Sequence, residues 1–237
     1  RGALYVCDWY NPIKGHAQYS LRDDRRDKHS GRIWRITAKE KKLNEPVEIH
    51  GVDIPKLLEN LKRKEYRIRY WSKREIRKHS KEKVHNELLK WLKGLDKDDP
   101  NFRHNQIEGL WTHASIDPHN TNLLKELIHC EIPEARAAAT RQLRYWSRII
   151  GNESELLLRK SANDDDQIVR LEAAIACSWI GTEEAFKTLI NISKGQMGKH
   201  LSYAVQTSLG SDNMQRHWKS AGEDVQTFLA KSKKRNQ

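Results

Sequence analysis

Apolar residues recur along most of this chain at helical spacing, three and four apart, in blocks separated by short polar or proline-bearing turns. The blocks themselves repeat. Ile76, Leu110, Leu143, Cys177 and Leu209 occupy one register, at steps of 34, 33, 34 and 32 residues by subtraction of their numbers. The clearest pair is EARAAATRQLRYW, beginning at Glu134, and its later version QIVRLEAAIACSWIG, ending at Gly181. A helical pattern with a period in this range predicts stacked helical hairpins, each burying one face against its neighbours. About five hairpins are expected over residues 53–231, in a mainly α chain.

Local signals place the individual helices. Asp53 and Pro55 favour the start of a helix through Leu57, Leu58 and Leu61. Tyr66–His79, Val84–Leu95 and Phe102–His113 follow, and Asp117–Pro118 is expected to open the helix of Leu123, Leu124, Leu127 and Ile128. Pro133 resets the chain before Glu134–Ile150, which Gly151 closes; Asn152 is expected to cap Glu153–Ser161. Asp164, Asp165 and Asp166 favour the start of Gln167–Ile180 electrostatically. Glu183–Ser193, Lys199–Leu209 and a weaker helix near Val225–Ala230 precede a basic tail over residues 232–237.

The N-terminal part has the other period. Residues 2–9, GALYVCDW, read as a short buried strand, and Gly31–Thr37, with Ile33, Trp34 and Ile36, as a second. Two strands alone are marginal in water, so the pair is expected to complete a larger sheet. A long polar loop, Tyr10–Ser30, joins them, and residues 38–52 read as a linker. Loops of that length are more often functional than decorative.

Composition supports the solenoid. An apolar fraction of 37% beside a charged fraction of 32% is wet for a compact globule, yet eight Trp argue against disorder. Hairpin stacks resolve this, since each unit keeps a large face in water. The formal charge of +12 suits an acidic partner, whether nucleic acid, anionic lipid or polyanionic glycan, and equally serves solubility. Three cysteines stand far apart with no CxxC, which excludes a zinc-ribbon pattern and a covalent haem site here. Cys130 and Cys177 lie in apolar helical patterns and are expected to be buried. No run is long and apolar enough to span a membrane, and no signal peptide is visible. Opening on Arg1 and a strand-like run, the sequence reads as a piece of something longer.

Candidate chemistry falls into three groups. Arg69, Arg103, Arg136 and Arg170 stand seven residues ahead of the first four anchors, with Ser202 in the fifth copy. An arginine fork at this place is expected to bond a carboxylate or loop carbonyls of the neighbouring repeat, a ligand-binding ladder being the alternative. The second group is a basic face within Lys62–Lys83, made of Lys62, Arg63, Arg67, Lys73, Arg74, Arg77 and Lys78 with Tyr66, Tyr70 and Trp71 interleaved. Such a face can neutralise phosphates or stand solvated. The third is the long loop, where His16 and His29 share a segment with Asp23, Asp24 and Asp27 beside Asp8 and Asn11. The other histidines are scattered without ligand spacing, so no metal site is read. No nucleophile elbow, phosphate loop or dinucleotide fingerprint appears, and no catalytic residue is assigned.

The string LYVCDWYNPIKGHAQYSLRDDRRDKHSGRIWRIT, from Leu4 to Thr37, resembles the closing part of the β-propeller in large bacterial haem-binding proteins of the PVC type, also described as membrane-bound dehydrogenases. The resemblance is specific in DWYNP, GH, the two RD pairs and GRIWRIT, and looser but continuous through the repeats. It implies propeller strands over residues 1–37, then HEAT-type helical repeats, with oxidation chemistry in a propeller of which only the end is present. Asp8, Asn11, His16, Arg22 and Arg32 match the family string, without an assigned role. The family's CxxCH is absent here, so haem or another redox cofactor would lie elsewhere in the parent protein, in a periplasmic or envelope setting. The reading is a HEAT-like α-solenoid acting as a scaffold for protein modules of its own or a partner chain, with polyanion binding as the alternative.

Overall fold

A computed structural model describes residues 2–8, 23–27, 29–117, 119–218 and Thr227. Its contacts divide the chain into two compact units, Arg1–Glu48 and Ile49–Gln237.

The first unit is a hairpin of β1 (Leu4–Asp8) and β2 (Arg32–Ile36), antiparallel, with Leu4 opposite Ile36 and Asp8 opposite Arg32. This is a two-stranded, unclosed sheet. The expected burial is absent: Leu4 is 62% exposed and Ile33 72%, and Tyr5, Trp34 and Ile36 are open as well. The physical reason is the number of strands. A pleated ribbon of two has no layer to pack against, so apolar side chains on both faces meet solvent.

The second unit is a mainly helical, HEAT-repeat-like α-solenoid. In each hairpin we call the first helix A and the second B. The A helices are α1 (Ile54–Glu59), α3 (Lys81–Lys93), α5 (Thr121–Ile128), α7 (Glu153–Ala162) and α9 (Glu183–Lys194). The B helices are α2 (Tyr66–Ile76), α4 (Phe102–Ile116), α6 (Pro133–Ile150), α8 (Gln167–Ile180) and α10 (Lys199–Leu209), followed by a single turn, α11 (Asp212–Gln215). Consecutive B helices α4, α6, α8 and α10 pack on one another, as do α5, α7 and α9.

All five repeat anchors are fully buried. The core runs continuously from Ile107 to Met214, and a smaller cluster under the first hairpin joins Leu57, Leu61, Ile76, Val84 and Leu88. Leu92 packs against both clusters. Each fully buried leucine contributes about 1.5–3 kcal/mol, so the period of the anchors is also the period of the stabilising contacts. Ile49 and Val52 pack on the smaller cluster, and the helical unit accordingly begins within the stretch expected to be linker.

Caps close most A helices. Side chains of Asp53, Ser80, Asn120 and Thr182 accept first-turn backbone N–H groups of α1, α3, α5 and α9 at 3.0–3.2 Å. Two expected starts are corrected. Helix α5 begins after Asn120 rather than at Asp117–Pro118, because Asp117 lies at φ 44°, outside helical space, and the Asn120 amide oxygen caps Leu123. Asn152 is itself in helical conformation and makes no side-chain cap bond to α7. Gly181 ends α8 at φ 72°, where a side chain would be strained and a Cβ would press on Asn213 at 3.3 Å. Asn213 in turn donates to the Ser178 carbonyl at 3.0 Å, so the segment after α10 closes the end of α8. The weak helix near Val225–Ala230 and the basic tail lie outside the described residues, apart from Thr227.

Cys130 and Cys177 are buried, and burial pushes both thiols up, whereas Cys7 is exposed. Since the thiolate is the nucleophile, native protein should react with iodoacetamide at Cys7 alone. Cys130 and Cys177 should label only on unfolding, read by intact mass. Rapid native labelling of Cys177 would contradict the packed α8 core.

Candidate functional site

The four ladder arginines lie at or near the starts of α2, α4, α6 and α8, and each binds a loop or helix of another hairpin. Arg136 is the most complete. Its Nε and Nη2 grip both oxygens of Asp164 at 2.7 and 2.8 Å, while Nη1 donates to the carbonyls of Cys130 and Glu131 at 3.0 and 3.1 Å. Arg69 repeats the pattern, with Nη1 on the carbonyls of Arg63 and Lys64 and Nε on Glu108. Arg170 takes the carbonyls of Asp164 and Asp165 in the same way. Arg103 instead binds side chains, those of Glu131, Glu126 and Gln106. A relay results: Glu131 and Asp164 each receive one arginine on the carboxylate and the next on the backbone carbonyl. The forks fasten hairpin to hairpin, each with at least three N–H groups bonded to protein carboxylates, carbonyls or amide oxygens.

Burial alone would push the Asp164 carboxyl up. Hydrogen bonds from Arg136 and the Asp166 N–H, with the charges of Arg136 and Lys160, outweigh that and hold it below the usual carboxylate value. The bond from Arg103 likewise lowers the exposed Glu131. A depressed carboxylate contributes stability that is fully present above its unfolded pKa, about 4, and is lost as pH falls through the folded value. The thermal midpoint should thus stay level from about pH 7 to about pH 5 and drop below about pH 4. An Asp164→Asn variant should show a shallower drop, followed by circular dichroism. A midpoint that rises on acidification would contradict the sign.

The basic face is only partly a free surface. Lys62, Arg63, Arg67, Arg74, Arg77 and Lys78 are exposed. Lys62 pairs with Glu59 at 2.9 Å, Lys78 with Glu75 at 2.7 Å, and Arg74 lies 4.7 Å from the centre of the Trp71 ring. Lys73 does not belong to the face. It is drawn in to Glu108, whose side chain is 1% exposed, at 2.7 Å, because α4 presents a buried carboxylate that Arg69 alone does not fill.

In the first unit, Asp8 and Arg32 meet at the end of the hairpin, Arg32 Nε to Asp8 at 3.3 Å, and the Trp34 indole donates to the same carboxylate at 3.1 Å. Asn11, His16 and Arg22 lie outside the described residues. Asp27 accepts the N–H groups of His29 and Ser30 at 2.9 Å, a local turn. Among the described residues no group of three or more His, Cys, Asp or Glu is arranged to hold a metal ion.

One arrangement lies outside the repeat register of the anchors and the arginine ladder. On α6 and α8, Arg141 and Arg144 face the buried Glu172, with Arg141 Nε 3.0 Å from it. Arg144 lies over Tyr145 and Trp179, 4.8 and 5.4 Å from the ring centres, and these two rings meet edge to face. A groove of about 550 Å³ opens there between the ends of α6 and α8 and the start of α7. The available signal was a second apolar row, Ile168, Leu171, Ile175 and Trp179, away from the buried anchor Cys177.

With this geometry in hand, the sequence comparisons add one finding. Residues 120–196, from the start of α5 through α9, match the sequence profile of HEAT repeats. No curated protein matches the chain.

Proposed function

We propose that this chain is a scaffold for protein modules and that partners dock on its B helices. The observation that carries this reading is the exposure of a large aromatic on every B helix: Trp71, Trp111, Tyr145, Trp179 and Tyr203. Exposed aromatics beside arginines are the composition of protein-binding surfaces rather than of solvated faces. The first unit supports the finer reading, in which the hairpin is the closing part of a propeller sheet as in PVC-type haem-binding proteins. Its open apolar faces need a further layer, and its string carries the resemblance. A dehydrogenase-like module with haem or another redox cofactor would then be the partner, in an envelope setting. Among the described residues no helix is long and apolar enough to cross a membrane.

Polyanion binding is the second reading, favoured by Arg63, Arg67 and Arg77, which are exposed and, among the described residues, have no acidic partner. A photo-reactive amino acid placed in turn at Arg67, His104 and Tyr203, in cells of the source organism, separates the two. Protein adducts at these B-helix positions are expected. Nuclease-sensitive adducts, or none to protein, would overturn the scaffold reading.

A further inference from the structure

We propose that the exposed face of α8, with its flanks on α6 and α10, is a docking site for an acidic amphipathic helix of about three turns; this rests on the scaffold reading above and names the partner's chemistry. Ile168, Leu171, Ile175 and Trp179 follow at steps of three, four and four, so they form one straight row along α8. The ends of the row are open, Ile168 at 52% and Trp179 at 57% exposure, and the two middle residues are half-buried. A surface helix of a folded domain ordinarily turns such a row inward; α8 has a second, buried row of Val169, Ala173, Ala176 and Cys177 for that purpose. Two apolar rows on one helix are expected when both are covered.

Length and charge identify what covers the second. The row spans about 16 Å at 1.5 Å per residue, which is the contact length of roughly eleven helical residues. On one flank stand Arg141, Arg144 and Arg148 of α6, and on the other Lys199 of α10, a helix without any Asp or Glu. The acidic residue α8 presents between these flanks, Glu172, is buried and already bound by Arg141. At the Trp179 end the row runs into the groove lined by Arg144, Tyr145, Arg148 and Glu155, the last already bonded by the Thr182 hydroxyl. An incoming helix would therefore lay an apolar face on the row and direct carboxylates at the arginines, the mode in which amphipathic helices enter apolar grooves. Arg148 and Lys199, exposed cations of the two flanks, would meet those carboxylates.

The test is a titration of the full chain with a fluorescent fifteen-residue helical peptide carrying Leu and Trp on one face and Glu on the others. Its partners are a version with Lys for every Glu and one with the same residues scrambled. Saturable binding of the acidic peptide, at least about tenfold tighter than either control, is expected, because each 1.4 kcal/mol is tenfold in affinity. Trp179→Ala and Ile168→Ala should each weaken it at least about fivefold, and Arg148→Glu should weaken it most at low salt. Unchanged circular dichroism and urea midpoint establish that these exposed substitutions leave the fold intact. Equal binding of the three peptides, or binding indifferent to Trp179→Ala and Ile168→Ala, overturns the α8 site. If protein adducts still form at Arg67, His104 or Tyr203, the scaffold reading survives that failure; if they do not, it falls as well.

Discussion

Replacing Asp164 with alanine should cost about 3–5 kcal/mol of unfolding free energy, measured by urea titration followed by far-ultraviolet circular dichroism. The side chain is buried, accepts two hydrogen bonds from Arg136 and a third, at 2.9 Å, from the Asp166 N–H. Its removal leaves a guanidinium that is itself mostly covered and keeps only carbonyl partners. The neighbouring Asp165→Ala is the control. That residue is exposed, and its substitution should shift stability by about 0.5 kcal/mol or less. Arg136→Lys should fall between the two, since it keeps the charge and loses the planar fork. Equal stability of Asp164→Ala and Asp165→Ala would show that the relay does not fasten the repeats.

The second large effect belongs to Glu108→Ala, at about 3 kcal/mol or more. Glu108 comes from α4 and holds Arg69 at 2.9 Å and Lys73 at 2.7 Å, both from α2. Without it, two cations face a site that α4 and Trp111 largely close, Lys73 lying 5.3 Å from the Trp111 ring centre. The cost arises from stranding charge more than from losing attraction. A triple variant, Glu108→Leu with Arg69→Met and Lys73→Met, should therefore recover a substantial part of the loss, because apolar replacement of a whole buried cluster is often neutral or better. A triple variant less stable than Glu108→Ala would refute that account.

These two clusters show where the sequence was legible and where it was not. The ladder was visible because its arginines keep a fixed distance from the anchors, and burial at those anchors is what the period records. Asp164 could be named as a neighbour, but not as the partner of Arg136, since that pairing spans two hairpins. Lys73 read as surface because it stands among Arg67, Arg69, Arg74 and Arg77; only the packing of α4 reveals the carboxylate beneath it. The row on α8 does not stand out in the sequence, as apolar spacing tells that a face is apolar, not what covers it. The first strand read as buried because β-formers were present, while burial depends on further layers that two strands do not supply. At Asp117–Pro118 the proline signal was overruled by backbone at positive φ and by a competing cap two residues on.

The central claim, that the B helices recognise protein rather than polyanion, is tested most directly by binding to labelled duplex DNA and to heparin across a salt series. Among the described residues the exposed cations of α2 and its entry without acidic or aromatic partners are few, so weak binding with a shallow salt slope, about four or less, is expected. It should be similar for the two polyanions and vanish near physiological salt. Tight binding to DNA, well above that to heparin and retained at that salt, would contradict the account.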